Sequence, residues 1–97
     1  QIALTPEGGD ELLREDVVIQ ATRVMQNLEA VLNASGSSLE SVLKTTIFLA
    51  SMDDFALVNE VYAKAFGSHK PVRSTVAVKT LPKNALVEID AIALVKV

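Results

Sequence analysis

The stretch ALVEIDAIALVKV, Ala85 to Val97, reads as a long strand, and its two faces decide what kind of sheet the chain builds. Alternation puts Ala85, Val87, Ile89, Ala91, Ala93 and Val95 on one face. Leu86, Glu88, Asp90, Ile92, Leu94 and Lys96 fall on the other. Both faces carry large apolar side chains. A sheet with helices on one side and water on the other alternates cleanly between apolar and polar. The strand therefore predicts a sheet covered by helices on one face and by a further subunit on the other, in a closed homo-oligomer.

Working outward, TLPKN is a turn and VRSTVAVK a strand led in by Pro71. On it, Val72, Ser74, Val76 and Val78 share one face, expected to pack on the helices. Arg73, Thr75, Ala77 and Lys79 share the other, so Arg73 is expected to point away from the helices, towards the subunit interface. SHKP is a loop. DDFALVNEVYAKAFG predicts a helix capped by Ser51 or Asp53, with Phe55, Val58, Tyr62 and Phe66 as its buried stripe and Gly67 as its stop. Val42 to Ala50 is a β-branched strand, entered by a capped turn at Ser37 or Ser38.

Further upstream lies the clearest helix, N-capped by Asp16 and stopped at Gly36. Val17, Ala21, Val24, Leu28 and Val31 recur at helical spacing, and Val18, Met25 and Leu32 widen the stripe. Arg14, Gln20, Arg23, Asn27 and Glu29 lie mostly off it. Gln1 to Thr5 predicts a short strand, followed by a turn at Pro6, Gly8 and Gly9. The order β, α, β, α, β, β gives an α+β fold: one domain over residues 1–97, with a single mixed sheet and two helices on one face.

Composition narrows the function classes. The 97 residues are 49% hydrophobic but only 4% aromatic, and cysteine is absent. A core of this size is marginal, and oligomerisation is the remaining way to gain burial without disulfides. The net charge of −3 argues against a general nucleic-acid binder, which needs a basic face. No run approaches the roughly 18 apolar residues of a membrane span. The chain starts at Gln1 inside an apolar stretch, which reads as part of a longer polypeptide. A cytoplasmic location is expected, with a mitochondrial one as the alternative.

Two side chains invite chemistry. Arg73 is either a structural or solvated arginine, or a carboxylate clamp, since a guanidinium offers a planar fork of donors that matches a carboxylate. Glu88 lies among Leu86, Val87 and Ile89 and needs a partner there. Either Glu88 or Asp90 pairs with Arg73, or Glu88 moves protons in a partly dry pocket. Other candidates are weaker. His69 stands alone in a loop, Tyr62 reads as core, Asp53 and Asp54 as a helix start, and no His or Cys spacing suggests a metal site.

PVRSTVAVKTLPKNALVEI resembles the signature of the RidA family, also called YjgF or enamine/imine deaminases. The match is carried by Pro71, Arg73, Leu81, Pro82, Val87, Glu88 and Ile89. SSLESVLKTTIFLASMDDFALVNEVYAKAF and QIALTP are similar to further stretches of the same family, so the resemblance covers essentially the whole chain. It implies a chorismate-mutase-like homotrimer with a central β-barrel and active sites between subunits. It also implies an N-terminal strand or hairpin ahead of Gln1.

The implied reaction is hydrolysis of 2-imino acids and their enamine tautomers, such as 2-aminoacrylate and 2-aminocrotonate, to 2-keto acids and ammonia. Arg73 would bind the substrate carboxylate, Glu88 would hold or activate water, and Thr75 and Phe55 would line the pocket. Neither metal nor organic cofactor is implied. Alternative expectations are a non-catalytic metabolite-binding trimer, or a ribonuclease or translation inhibitor.

Overall fold

A computed structural model describes residues 1–5 and 16–95. Its central strand is β1 (Val42–Leu49). β2 (Val72–Ala77) pairs with β1 in parallel and β3 (Val87–Ala93) pairs with it antiparallel on the other side, giving the order β2-β1-β3. The parallel pair is joined through helix α2 (Phe55–Phe66), since parallel neighbours need a crossover connection. The expected mixed sheet is therefore present.

Register fixes the faces. Thr45, Ile47 and Leu49 stand opposite Ala91, Ile89 and Val87. Thr45, Ile47, Leu49, Val87 and Ile89 are all buried to within 1%. Both helices cover this face. Each large aliphatic side chain buried there contributes about 1.5–3 kcal/mol relative to exposure. The other face carries Lys44, Thr46 and Phe48 beside Glu88, Asp90 and Ile92, and among the described residues neither helix covers it. Val72 and Ile92 remain 69% and 62% exposed. The two-sided character of the last strand thus corresponds to one covered face and one bare apolar face.

Helix α1 (Val17–Ala34) starts on the expected cap: Ile19 N–H donates to Asp16 Oδ1 at 3.0 Å. It ends in a Schellman arrangement, with Ser37 N–H on the Leu32 carbonyl and Gly36 N–H on that of Asn33. Gly36 takes φ +81, which a glycine adopts at no steric cost. The stripe differs from the expected one at three positions. Val18 and Val31 stay exposed, while Gln20 is only 3% exposed. Gln20 earns burial because its Oε1 accepts the Leu86 N–H at 2.9 Å, fastening α1 to the approach to β3. Helical periodicity ranks Gln as surface and has no means of registering a backbone donor on a distant segment.

The lead-in to α2 is a 3-10 turn, Met52–Asp54, capped by Ser51, whose Oγ accepts the Asp53 N–H at 3.1 Å. Gly67, with φ +64, closes α2. The stripe Val58, Tyr62 and Phe66 is buried as expected, and Phe55 is half-buried.

Gln1 to Thr5 does not form the expected strand. Gln1 and Ile89 exchange backbone hydrogen bonds of 2.8 and 3.0 Å, but Leu4 N–H then turns back onto the Ile2 carbonyl. The carbonyls of Ile2 and Leu4 accept from Asn27 Nδ2 on α1, at 3.2 and 3.0 Å, instead of from a strand. Asn27 Oδ1 in turn accepts from Arg23 Nε at 3.1 Å. Asn27→Ala is expected to cost about 1–3 kcal/mol by orphaning part-buried carbonyls. Hydrogen exchange checks it: the Ile89 amide, which donates to Gln1, should lose protection while the Ile47 amide keeps its own. The turn expected at Pro6, Gly8 and Gly9 lies outside the described residues, as do Arg14 and Lys96.

Candidate functional site

Arg73 lies on the face opposite to the one expected. In the parallel register it stands beside Thr45, and Thr75 beside Ile47, so the Arg73 side of β2 continues the buried, helix-covered face of β1. Its guanidinium reaches α2 rather than a subunit interface on the bare face. The Cζ atom sits 5.1 Å from the Tyr62 ring centroid and 5.8 Å from that of Phe55, and Nη1 donates to Asn59 Oδ1. Val72 and Val76, expected under the helices, are exposed on the bare side. The reason is chemical as well as topological. β2 is an edge strand, and a guanidinium stacks on aromatic faces while keeping its donors in water.

The aromatic support is itself anchored. Tyr62 is 6% exposed, and its hydroxyl lies 2.7 Å from Oγ1 of Thr45, which is 1% exposed. Phe66 packs on Tyr62 at 4.7 Å between centroids. Reading Tyr62 as core was right, but its ring also carries the arginine. Asn59 was missed by sequence reasoning. Its signal was spacing: Phe55, Asn59 and Tyr62 share one side of α2, so a polar residue sits in an otherwise aromatic stripe.

A cleft of about 460 Å³ opens between the second half of α2 and the start of β2. Asn59, Tyr62, Phe66, His69, Lys70 and Arg73 line it, with Ala63, Gly67 and Pro71. Phe55 and Thr75 are not on its wall. Phe55 flanks the guanidinium, and Thr75 is half-buried two residues further along β2. His69 donates Nε2–H to the Val42 carbonyl at 2.7 Å, which fixes the loop to β1.

Glu88 does not meet Arg73 within the chain. It is half-buried on the bare face, in register with Phe48, whereas Arg73 is on the helix side. Neither Glu88 nor Asp90 pairs with Arg73. Asp90 lies 3.8 Å from the Gln1 nitrogen instead. Among the described residues Arg73 has no carboxylate partner, which leaves its remaining donors for a ligand. No group of His, Cys, Asp or Glu among them could hold a metal ion.

The family model described as Endoribonuclease L-PSP matches residues 1–95. A RutC family protein of Pyrococcus horikoshii is 47% identical over 93 residues, covering 96% of this chain and 73% of the relative. The chain belongs to the RidA/YjgF family. Another RidA/YjgF relative is Reactive Intermediate Deaminase A, chloroplastic, of Arabidopsis thaliana, 47% identical over 92 residues. The match covers 95% of this chain and 49% of that protein. Among solved RidA/YjgF structures, E. coli TdcF with bound serine superposes with a TM-score of 0.89 at 38% identity, covering 99% of this chain and 76% of TdcF.

Proposed function

We propose that the protein hydrolyses reactive 2-imino acids and their enamine tautomers to 2-keto acids and ammonia. The observation that carries this is the guanidinium of Arg73, held by Asn59 and two aromatic rings at the mouth of a cleft, with no carboxylate of its own among the described residues. Such a group binds a carboxylate bidentately and in fixed orientation. A relative named as a reactive intermediate deaminase and a neighbour holding serine, an amino acid with a free carboxylate, support the reading.

The chemistry asks little of the protein. The protonated imine R–C(=NH2+)–COO− takes up one water to give a carbinolamine. Loss of nitrogen as ammonium then leaves R–CO–COO−. Arg73 orients the carboxylate, and Phe55 flanks its guanidinium from outside the cleft wall. Glu88 holds the water and moves its proton. Because Glu88 and Arg73 occupy opposite faces of one sheet, the site is completed by a neighbouring copy packed on the bare face. Burial of Val72, Val76 and Ile92 drives that packing, in a closed homotrimer with a central barrel.

The test generates 2-aminoacrylate with a serine dehydratase and follows keto-acid release. The protein should accelerate release, and Arg73→Ala should remove the acceleration. An unchanged rate with the unaltered protein would leave a metabolite-binding role instead. The endoribonuclease description of the matching family favours a second reading, RNA cleavage. It requires RNA binding that weakens steeply with salt, which the net charge of −3 opposes. No helix among the described residues is long and apolar enough to cross a membrane.

A further inference from the structure

We propose that the cleft beside Arg73 selects acids bearing a second anionic group, with Lys70 as its anchor, so that the preferred substrates are 2-imino dicarboxylic acids. The inference rests on the reading of Arg73 as the anchor of the first carboxylate.

The cleft is basic in an acidic protein. The chain carries 12 acidic against 9 basic residues, yet among the described residues no Asp or Glu lines this cleft, while Arg73, Lys70 and His69 all do. Among the described residues neither Arg73 nor Lys70 makes an ion pair. A concave surface with charges of one sign and no internal compensation raises the local concentration of the opposite charge. One carboxylate would satisfy only the Arg73 end.

The two cations are held apart by fixed backbone. Lys70 lies three residues before Arg73, about 10 Å along an extended chain. The segment between α2 and β2 is pinned at several points. Gly67 closes the helix with positive φ, His69 N–H donates to the Phe66 carbonyl at 3.2 Å, and the His69 ring is bonded to the Val42 carbonyl. Pro71 then fixes its own φ. Lys70 therefore projects from a set position, and only its flexible stem must be ordered by a ligand. Tyr62 and Phe66 also line the cleft and offer apolar surface suited to methylene groups. A volume of about 460 Å³ leaves room well beyond a three-carbon acid.

The experiment uses stable product-type acids, 2-oxobutanoate with one carboxylate and 2-oxoglutarate with two. Their affinities are measured calorimetrically for the unaltered protein, Lys70→Met, Lys70→Arg and Arg73→Met. The unaltered protein should favour 2-oxoglutarate roughly fivefold, the scale of one partly exposed charge pair. Lys70→Met should bring the ratio of the two affinities close to one, and Lys70→Arg should retain the preference. No preference in the unaltered protein, or a preference that survives Lys70→Met, overturns the inference. Its failure is separable from that of the reading beneath it. If Arg73→Met weakens both acids while Lys70→Met leaves the ratio in place, only the second anchor falls. If Arg73→Met changes neither affinity, or neither acid binds the unaltered protein, both readings fall.

Discussion

Co-assembling two inactive variants, Arg73→Ala and Glu88→Gln, is expected to restore imine hydrolysis. Each variant alone should be inactive, because every site would lack either the carboxylate anchor or the water-handling group. Within one chain the two residues face opposite sides of the sheet, so a site containing both must draw them from different copies. In a ring built by head-to-tail contacts, random mixing leaves roughly a quarter of the sites with both residues intact. The measurement is keto-acid release from 2-aminoacrylate by differently tagged, co-expressed chains purified through both tags. Activity no higher than that of the separate variants would place Arg73 and Glu88 in different roles. A companion check is Ile92→Asp, which puts a charge on the bare face. It should yield a monomer by light scattering, without hydrolytic activity.

The second large effect concerns the hydroxyl pair beneath the arginine. Thr45 and Tyr62 are 1% and 6% exposed, and their oxygens lie 2.7 Å apart. Tyr62→Phe leaves the Thr45 hydroxyl without its partner in the core, and Thr45→Val does the same to the Tyr62 hydroxyl. Each should cost about 1–3 kcal/mol, against a total of about 5–15 kcal/mol for a domain. The double variant removes both polar groups and should be less destabilised than the sum of the singles, with a coupling of about 1–2 kcal/mol. Urea midpoints at a fixed protein concentration would show it. Strict additivity would mean that the hydroxyls do not depend on each other. Tyr62→Phe also keeps an aromatic face under the guanidinium, whereas Tyr62→Leu removes it. Keto-acid affinity should therefore survive the first change better than the second.

Arg73 shows where sequence reading stopped. Alternation along VRSTVAVK separates Arg73 from Val72 and Val76 correctly, and the structure keeps them on opposite faces. It cannot say which face the helices cover. In a strand at the sheet edge, apolar residues suit a bare, interface-forming face as well as a core. That choice came from the pairing of Arg73 with Thr45 and Thr75 with Ile47. Asn59 was hidden for a related reason. Its role depends on α2 lying beside β2, and helical spacing alone gives no partner on another element. Gln20 and Asn27 looked like surface residues because their value lies in reaching the Leu86 amide and the carbonyls of Ile2 and Leu4, segments far away in the chain.

The elements themselves were legible. Asp16 and Gly36 bound α1, Gly67 stops α2, and β-branched runs mark the strands, because caps, left-handed glycines and side-chain periodicity are local properties. The two-sided strand from Ala85 likewise announced a bare apolar face, which arises because both helices lie on one side of the sheet. Residue pattern alone was thus enough for the alternation of helices and strands from Val17 onward, for the family, and for marking Arg73 and Glu88, though the strand expected at Gln1–Thr5 did not form. Packing in three dimensions was needed to turn Arg73 towards α2 and Glu88 the other way, and to bring Lys70 and His69 into one cleft with the arginine. Those outcomes follow from strand register and helix docking, in which small free-energy differences summed over the whole core select one face over the other.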